Sequence, residues 1–421
     1  MMGNPTRPDN EFEVIVIGAG IMGSCTAYEA SKRGCSTLLL DQFDFLHNRG
    51  SSHGESRTIR ITYPEPYYSS MALQSSRLWE EAQSQVGYKV LYPTQQLDFG
   101  HSTHMALQAI ISSCRSTSVE FRVLNSSEMA QEFGGGVVLP EDWIGVVSEG
   151  AGVIKPTKAV SMFQTLAFRN GVVLKDNIKV TGIERNRTDG GLVVSTESGE
   201  MFYCKKCVVT AGSWMKKLVK DVTGRDIPIE PLETTICYWK IKKGHEKDYS
   251  IDGGFPSFAG YGLPYIYGTP SLEYPGLIKV AVHGGRPCDP DKRTWIPETG
   301  LMDLLKKWVC ERFGGRVEHE GGPVSTQSCM YSMTLDDDYV IDFLGEEFGE
   351  DVVIAGGFSG HGFKMGPVIG KIVTELVLDG HVEGVEMGYF KLARFDQNPK
   401  GNVKGFAEQV GLSSQPRAHS D

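Results

Sequence analysis

The sequence of 421 residues predicts an α/β protein with two unlike sheets, one parallel and buried, the other mainly antiparallel. Two observations predict the parallel sheet. The continuous apolar run Val14–Ile17 leads into a glycine-rich turn, and similar runs recur in the middle and near the end of the chain. The third observation is an alternating, aromatic-rich pattern in 89–100 and 234–282, which is typical of antiparallel strands.

The first predicted unit is a strand, a helix and a second strand. The strand Val14–Ile17 is followed by the turn Gly18–Gly23, a helix predicted over Ser24–Arg33, and the apolar strand Thr37–Leu40. Asp41 closes the second strand. Both strands are apolar throughout, which indicates burial on both faces and therefore a parallel sheet covered by helices.

The turn has the spacing Gly-x-Gly-x-x-Gly at Gly18, Gly20 and Gly23. Between a strand and a helix, the first glycine permits the tight turn and the second lets the backbone approach a pyrophosphate. The third lets helix and strand pack closely. Asp41 follows at the distance where an acidic side chain accepts hydrogen bonds from an adenosine ribose. The pattern predicts a Rossmann-like, dinucleotide-binding domain.

Apolar strands of the same kind recur later in the sequence, and their positions indicate how the chain is divided into domains. Buried strands are predicted at 170–174, 207–212 and 352–357, and a helix at Gly366–Gly380. The dinucleotide-binding domain is therefore predicted to be discontinuous, with residues 1–90, 150–225 and 325–405. An α+β substrate domain is predicted for residues 91–149 and 226–324, and 406–421 form a polar tail.

A polar loop, 48–60, carries arginine and histidine among small hydroxyl residues. Arg57 and Arg60 are three residues apart, which predicts that they share one side of a helical turn. Two arginines in such a position bind a carboxylate and neutralise an electron-rich ring. The alternative is a solvated basic loop.

Composition narrows the class of function. The formal net charge of -10 argues against a nucleic-acid partner, and no run approaches the 18 apolar residues of a membrane span. Nine cysteines without a secretory signal indicate reduced thiols in an intracellular protein. The end of the chain, His-Ser-Asp, does not match the Ser-Lys-Leu type of peroxisomal address, so peroxisome and cytoplasm both remain open.

Four motifs in order resemble the monomeric sarcosine oxidase and L-pipecolate oxidase family, within the D-amino-acid oxidase superfamily of flavoproteins. They are the turn Gly18–Gly23, the loop Ser52–Arg60, the segment Cys329–Asp336 and the segment Gly357–Lys364. The resemblance runs from about Glu11 to Arg394. It implies the glutathione-reductase type of FAD-binding domain and no metal.

The resemblance also implies that FAD is attached covalently through Cys329. From the residues alone, a lone cysteine is more often a packed thiol, and Cys204-x-x-Cys207 is the more obvious redox pair. That pair is set aside because Cys207 begins a buried strand that leads into Gly212, similar to the second FAD-binding stretch of the superfamily. His53 and Arg57 are expected near the flavin ring.

Further roles follow from the same resemblance. Arg60 and Lys364 are expected to hold the substrate carboxylate, and Lys279 to lie over the flavin and promote its reaction with oxygen. Tyr267 and His283 are expected to line the amine pocket. Alternation along 279–283 places Lys279 and His283 on one face; an exposed edge strand is the alternative. Tyr331 is expected to contact substrate, and Ser52, Ser56, Val180, Gly212, Gly360 and Gly362 to contact the cofactor.

The function implied is FAD-dependent oxidation of sarcosine by molecular oxygen, which yields glycine, formaldehyde and hydrogen peroxide. L-pipecolate and bulkier N-methyl amino acids are alternatives, because the same pair of cations holds them equally well. A dehydrogenase that passes electrons to a partner protein, or a flavoprotein without catalysis, would be a different class. The family suggests a monomer with small-molecule partners only.

Overall fold

The computed structural model describes residues 10–272 and 274–404, so the predicted polar tail 406–421 lies outside the described residues. Eighteen strands are described: β1 Glu11–Ile17, β2 Thr37–Leu40, β3 Arg57–Ile59, β4 Leu91–His101, β5 Phe121–Asn125, β6 Trp143–Ile154, β7 Val173–Lys175, β8 Val180–Arg185, β9 Leu192–Thr196, β10 Met201–Val209, β11 Glu230–Lys240, β12 Ser257–Tyr261, β13 Ile266–Thr269, β14 Leu277–Val282, β15 Arg286–Pro287, β16 Ser325–Met333, β17 Val340–Phe343 and β18 Val352–Gly356.

The helices of the same residues pack against the two sheets and contribute to their cores. They are α1 Ile21–Lys32, α2 Pro66–Val86, α3 Met105–Ser116, α4 Ser126–Glu132, α5 Pro156–Arg169, α6 Met215–Thr223, α7 Thr299–Arg312, α8 Gly366–Asp379 and α9 Arg394–Gln397. In this part of the chain no helix combines the length and the apolar character that crossing a bilayer requires.

The first sheet has the order β17-β18-β10-β1-β2-β7, and β8 and β9 extend it beside β10. The pairs β1–β10, β1–β2, β2–β7 and β10–β18 are parallel, as predicted. Side chains of β1 alternate between two cores: Val14 and Val16 face the layer of α1, α5 and α8, whereas Ile15 and Ile17 face the opposite side. Burial on both faces explains the uninterrupted apolar run.

The second sheet has ten strands, in the order β15-β11-β14-β13-β12-β4-β6-β3, with β16 beside β11 and β5 beside β6. It is mainly antiparallel, as the alternation predicted, except that β4 and β12 pair in parallel. Its outer face packs against α7 and α4 in an aromatic core around Trp239 and Phe258. Its inner face points toward the first sheet.

Two strands from the predicted dinucleotide-binding ranges belong to the second sheet. β3 lies in the range 1–90 and β16 in 325–405, both predicted for the dinucleotide-binding domain, yet they hydrogen-bond to β6 and β11 of the second sheet. The boundaries themselves stay a prediction. The helix predicted from Ser24 instead begins at Ile21, because extended Gly20 is its N-cap and the glycine turn runs directly into its first turn.

Candidate active site

One cavity of about 360 Å³ lies between the carboxyl ends of the parallel strands and the inner face of the second sheet. All predicted site residues line it except Gly23, His53 and Ser56. In open α/β sheets, ligands bind at the carboxyl edge of the strands. The position and the lining therefore make this cavity the candidate active site.

The glycine turn forms the floor at one end of the cavity. Gly18 has φ +100, a conformation that side chains rarely adopt. A Cβ on Gly23 would lie 1.8 Å from the carbonyl oxygen of Gly18, so only glycine lets α1 pack this closely against the turn. The α1 N-terminus has no side-chain cap at Gly20, and its backbone N–H groups form a cradle for an anion.

Asp41 supports this turn from the end of β2. Its Oδ2 accepts a hydrogen bond from the backbone N–H of Ala19 at 2.8 Å, and its Oδ1 accepts one from Phe43 at 2.9 Å. Ser52 supports it from the other side, because its hydroxyl oxygen accepts from the N–H of Ile21 at 3.1 Å. The bracing role of Asp41 was not evident in the sequence.

The remaining glycines predicted for the cofactor lie where the chain approaches the cavity closely. Gly212 has φ +54 and begins a short 3-10 turn after β10, and Val180 begins β8 nearby. Gly360 has φ +74, and a Cβ there would lie 2.7 Å from the rings of His283 and Tyr331. At Gly362, whose added Cβ would lie 2.4 Å from Phe358, any side chain would likewise displace a neighbour.

Arg57 and Arg60 do not share a helical turn, so that prediction is wrong. Residues 57–59 form β3, which pairs with β6. Residues three apart in extended backbone point to opposite sides. The two guanidinium groups consequently serve different parts of the cavity.

The guanidinium of Arg57 lies beside Cys329. Its Nη2 is 3.4 Å from Sγ of Cys329 and also donates to the carbonyl oxygens of Ser51 and His53, each at 2.8 Å. Burial alone would raise the pKa of the Cys329 thiol, but Arg57 and the imidazole of His53 outweigh it and lower the pKa to about 6. A thiol in this setting is a thiolate at neutral pH.

The alternative cysteine pair has no such environment. Cys204 and Cys207 are buried in β10, and Cys207 is fully enclosed in the core beneath the first sheet. Its interaction with Cys204 and its burial raise the pKa of Cys207 well above the ordinary value. Packing, not redox chemistry, accounts for this pair.

Lys279 is buried on β14, an interior strand of the second sheet, rather than exposed on an edge. Its Nζ donates to the carbonyl oxygen of Ser56 at 3.0 Å and lies 3.4 Å from the Ser56 hydroxyl. Burial and the charge of Arg57 lower the pKa of Lys279 to about 7. Its charge therefore changes within the physiological pH range.

Arg60 lies at the other end of the cavity and has a buried carboxylate beside it. Its Nη1 is 3.5 Å from Oδ1 of Asp98 and donates to the hydroxyl of Tyr261 at 3.3 Å. Asp98 accepts hydrogen bonds from Thr62 at 2.7 Å and Gln96 at 3.1 Å. This network fixes one edge of the guanidinium.

Lys364 is near Arg60 but has no carboxylate partner among the residues that the structure describes. Its Nζ donates to the hydroxyl of Tyr63 at 3.1 Å and to the carbonyl oxygen of His361 at 2.9 Å. Burial, and after it the positive charge of Arg60, lower the pKa of Lys364 well below the ordinary value. The two cations expected to bind a carboxylate thus converge on one place, in different electrostatic settings.

An aromatic wall lies between these two ends. The hydroxyl of Tyr331 donates to the hydroxyl of Tyr267 at 3.2 Å, and the ring of His283 lies 5.3 Å from that of Tyr331. Burial first, and then the positive charge of Lys364 when that amine is protonated and of Arg60, lower the pKa of His283 to about 3, so this imidazole is neutral. The wall offers flat apolar surface with few charges.

Sequence reasoning missed three residues of this site: Asp98, Tyr63 and His361. Asp98 had a detectable signal, because a carboxylate inside the apolar stretch Leu97–Phe99 of a predicted strand needs a buried partner. His361 lies within the segment Gly357–Lys364, three residues before Lys364, and could have been considered there. Tyr63 had no signal, since only the fold brings it to Lys364.

The residues present fit FAD. The buried Oγ1 of Thr234 has no hydrogen-bond partner among the described residues. Thr234 lines the cavity directly opposite Cys329 in the β11–β16 pair. Buried polar atoms normally have partners, so a bound group would supply them here. A cradle for pyrophosphate at one end and a reactive thiol beside polar groups at the other suit a flavin dinucleotide.

Within the described residues, no group of three or more His, Cys, Asp or Glu side chains could hold a metal ion.

The fold and the cavity define a two-domain flavoenzyme. Residues 13–376 match the model of the FAD dependent oxidoreductase family, which also has the name DAO, and the chain belongs to this family. A probable sarcosine oxidase from Arabidopsis thaliana is 59% identical over 407 residues, 96% of this chain and 97% of that protein.

More distant comparisons agree. The peroxisomal sarcosine oxidase of Homo sapiens is 33% identical over 93% of this chain and 98% of its own length. Among solved structures, L-proline dehydrogenase from P. horikoshii superposes with a TM-score of 0.78 at 21% identity, over 92% of this chain and 98% of that one. The last likeness shows the shared fold alone. The predicted family, the fold class and the dependence on FAD are confirmed.

Proposed function

We propose that the chain is an oxidase that uses FAD and molecular oxygen to convert sarcosine, N-methylglycine, into glycine, formaldehyde and hydrogen peroxide. The observation that carries the proposal is one cavity that joins the glycine cradle, buried Lys279 and the two cations Arg60 and Lys364. The names of the Arabidopsis and human relatives support the same reaction.

The proposed roles begin with the substrate carboxylate. Arg60 and Lys364 bind it, and Tyr267 and His283 enclose the amine beside Tyr331. Fixing both ends of a small molecule places its C–N bond in one orientation, which is worth several kcal/mol of the barrier. FAD, when bound here, would supply the redox chemistry: it would accept a hydride equivalent from the C–H bond of a carbon beside the amine nitrogen, and oxygen would receive the electrons.

Lys279 is the residue proposed to assist the oxygen reaction. A positive charge held in a buried site stabilises the negative charge that develops as oxygen is reduced. Over residues 10–272 and 274–404, Nζ of Lys279 hydrogen-bonds only to Ser56 and to no carboxylate. Its charge is therefore directed to the cavity rather than neutralised by a partner.

FAD is proposed to be attached through a thioether to Cys329. The support is the environment of this thiol, which Arg57 and His53 keep as a thiolate, the nucleophilic form. The amide nitrogen of Gln327 lies 3.4 Å from Nδ1 of His53 and holds the imidazole beside the thiol.

L-Pipecolate is the second candidate, and one observation favours it. Tyr265 stacks edge-on against His283 and Tyr261, with ring centroids 5.1 Å apart in both pairs. These rings extend the aromatic wall beyond what a single methyl group needs, and a six-membered ring would cover them. The carboxylate site is the same for both substrates.

Two measurements on the purified protein test the proposal. Acid precipitation should leave yellow colour in the pellet, and the mass of the flavin should map to the peptide that contains Cys329. A panel of sarcosine, L-pipecolate and N-methylated amino acids, with no acceptor other than oxygen, should yield stoichiometric hydrogen peroxide. Electron transfer only to an added acceptor would identify a dehydrogenase instead, and colour in the supernatant would refute the covalent link.

The compartment and the oligomeric state are also proposals. The name of the human relative supports a peroxisomal location, and a monomer is expected. Cell fractionation tests the compartment, by asking whether the protein is found in the same fractions as catalase. Light scattering of the pure enzyme tests the oligomeric state.

A further inference from the structure

The two cations of the proposed carboxylate site differ in their counter-charges. Arg60 has a counter-ion within the protein, because Asp98 is fully buried 3.5 Å away and is fixed by Thr62 and Gln96. Lys364 forms no salt bridge within the described residues, although its side chain is buried and its relative exposure is only 7%. The charge of the Arg60 guanidinium is therefore balanced by Asp98, whereas a charge on the Lys364 amine would have no such counter-ion among these residues.

The hydrogen bonds of Lys364 match a neutral amine. An uncharged primary amine has two N–H bonds and one lone pair, whereas an ammonium has three N–H bonds and no lone pair. Nζ donates to two acceptors, the hydroxyl of Tyr63 and the carbonyl oxygen of His361. A neutral Lys364 therefore has both protons satisfied and keeps its lone pair available.

The groups in direct contact with Lys364, within the part of the chain that the structure describes, bring no negative charge. Arg60 is positive, Tyr63 carries a pKa raised by burial, and His361 and His283 carry pKa values lowered first by burial. From α2, Ser75 and Trp79 donate to the carbonyl oxygen of Lys364, at 2.6 and 2.8 Å, and bring no charge. An isolated buried ammonium in such surroundings loses its proton.

We propose that Lys364 accepts the proton that the amino acid must lose before its amine can be oxidised. The inference rests on the proposed function. An amino acid arrives mainly as a zwitterion, and its ammonium nitrogen has no lone pair. In the bound complex an N–H bond of this ammonium breaks, its electron pair stays on the nitrogen, and the proton bonds to Nζ of Lys364. No electrons are exchanged with any other group.

The transfer converts each partner into the form that the site requires. Lys364 becomes an ammonium next to the carboxylate, which supplies the counter-charge that the empty site lacks. The substrate amine becomes neutral and reactive. Because the amino nitrogen and the carboxylate share one carbon, a group that binds the carboxylate lies close to the amine as well.

Methoxyacetate separates proton transfer from oxidation. This ether analogue of sarcosine has the carboxylate but no amine, so it brings no proton. Titration calorimetry of the holoenzyme at pH 8, in two buffers of different ionisation enthalpy, should show uptake of about one proton per methoxyacetate bound. The Lys364→Arg variant, which is always charged, should bind methoxyacetate with uptake near zero. The Lys279→Met variant is the matched control, and its uptake should stay near one proton.

A second measurement does not depend on a variant that folds. The affinity of the wild-type holoenzyme for methoxyacetate, followed by the change in flavin absorbance, should fall about tenfold per pH unit above the pKa of Lys364. Binding without proton uptake and without this pH dependence would overturn the inference and leave the proposed function intact. Absence of binding would overturn both. Loss of the uptake in Lys279→Met would reassign the proton to Lys279.

Discussion

Nη2 of Arg57 lies 3.4 Å from Sγ of Cys329, although 272 residues separate them in the sequence. The contact exists because the start of β3, at Arg57, and the middle of β16, at Cys329, are both in the second sheet and both line the cavity. It is the principal electrostatic reason that the thiol is acidic, since burial acts in the opposite direction. The position of this buried charge beside the thiol predicts the effect of replacing Arg57.

Arg57→Met should slow the attachment of FAD. Without the guanidinium, burial dominates and the pKa of Cys329 rises, so less thiolate is present at pH 7. We expect attachment during reconstitution at pH 7 to slow by up to about tenfold for each unit by which the pKa of Cys329 rises above 7. Colour retained in acid-precipitated protein at timed intervals measures it. Arg57→Lys keeps the charge and should be the milder variant; equal slowing in both would assign the effect to geometry.

Lys279→Met should slow the reaction of reduced flavin with oxygen far more than the reduction by substrate. The sign of the pH effect follows from the lowered pKa of about 7: the ammonium is present below it and is lost as pH rises through it. The reoxidation rate of the wild type should therefore fall between pH 6 and 8, roughly in proportion to the fraction of Lys279 that is protonated. Stopped-flow mixing of reduced enzyme with oxygen measures it. Equal slowing of both half-reactions in the variant would exclude this role.

Gly23→Ala should prevent FAD binding or folding. An added Cβ would lie 1.8 Å from the carbonyl oxygen of Gly18, and backbone cannot move aside without separating α1 from the turn. Gly182→Ala is the control, because its Cβ would meet only Ser195 at an ordinary 3.7 Å. Flavin content and melting temperature of both variants decide the matter. A Gly23→Ala protein with full FAD would show that the cradle lies elsewhere.

The first sheet and its glycine turn could be predicted because their information is local. The apolar runs of β1 and β2, the spacing Gly18–Gly23 and Asp41 each have a direct physical meaning over a few residues. The second sheet was harder, since register and neighbours depend on distant segments: β4 lies parallel to β12 across more than 150 residues. Alternation alone cannot show this.

The candidate site likewise combines features that local sequence predicts with features that depend on distant segments. Residues carried by motifs, such as Cys329 and Lys364, were found through resemblance, and their environments were not. The error over Arg57 and Arg60 is instructive, because a spacing of three means one face in a helix and opposite faces in a strand. The choice between them depends on pairing with β6, which no local pattern in the loop indicates.

Arg394→Met should destabilise the protein more than any exposed ion-pair variant. Nε and Nη2 of Arg394 donate to both oxygens of Asp336 at 2.7 and 3.1 Å in a buried pair that ties α9 to the loop after β16. Removing one partner leaves a buried carboxylate uncompensated, and the expected loss is about 3–5 kcal/mol. Arg33→Met is the control: its guanidinium also donates to both oxygens of one carboxylate, Asp379, at 2.7 Å each, but this pair is exposed and should contribute less than about 1 kcal/mol. Denaturant midpoints of the two variants measure the difference. Equal midpoints would show that burial does not set the strength of the Arg394 pair, since both pairs are bidentate.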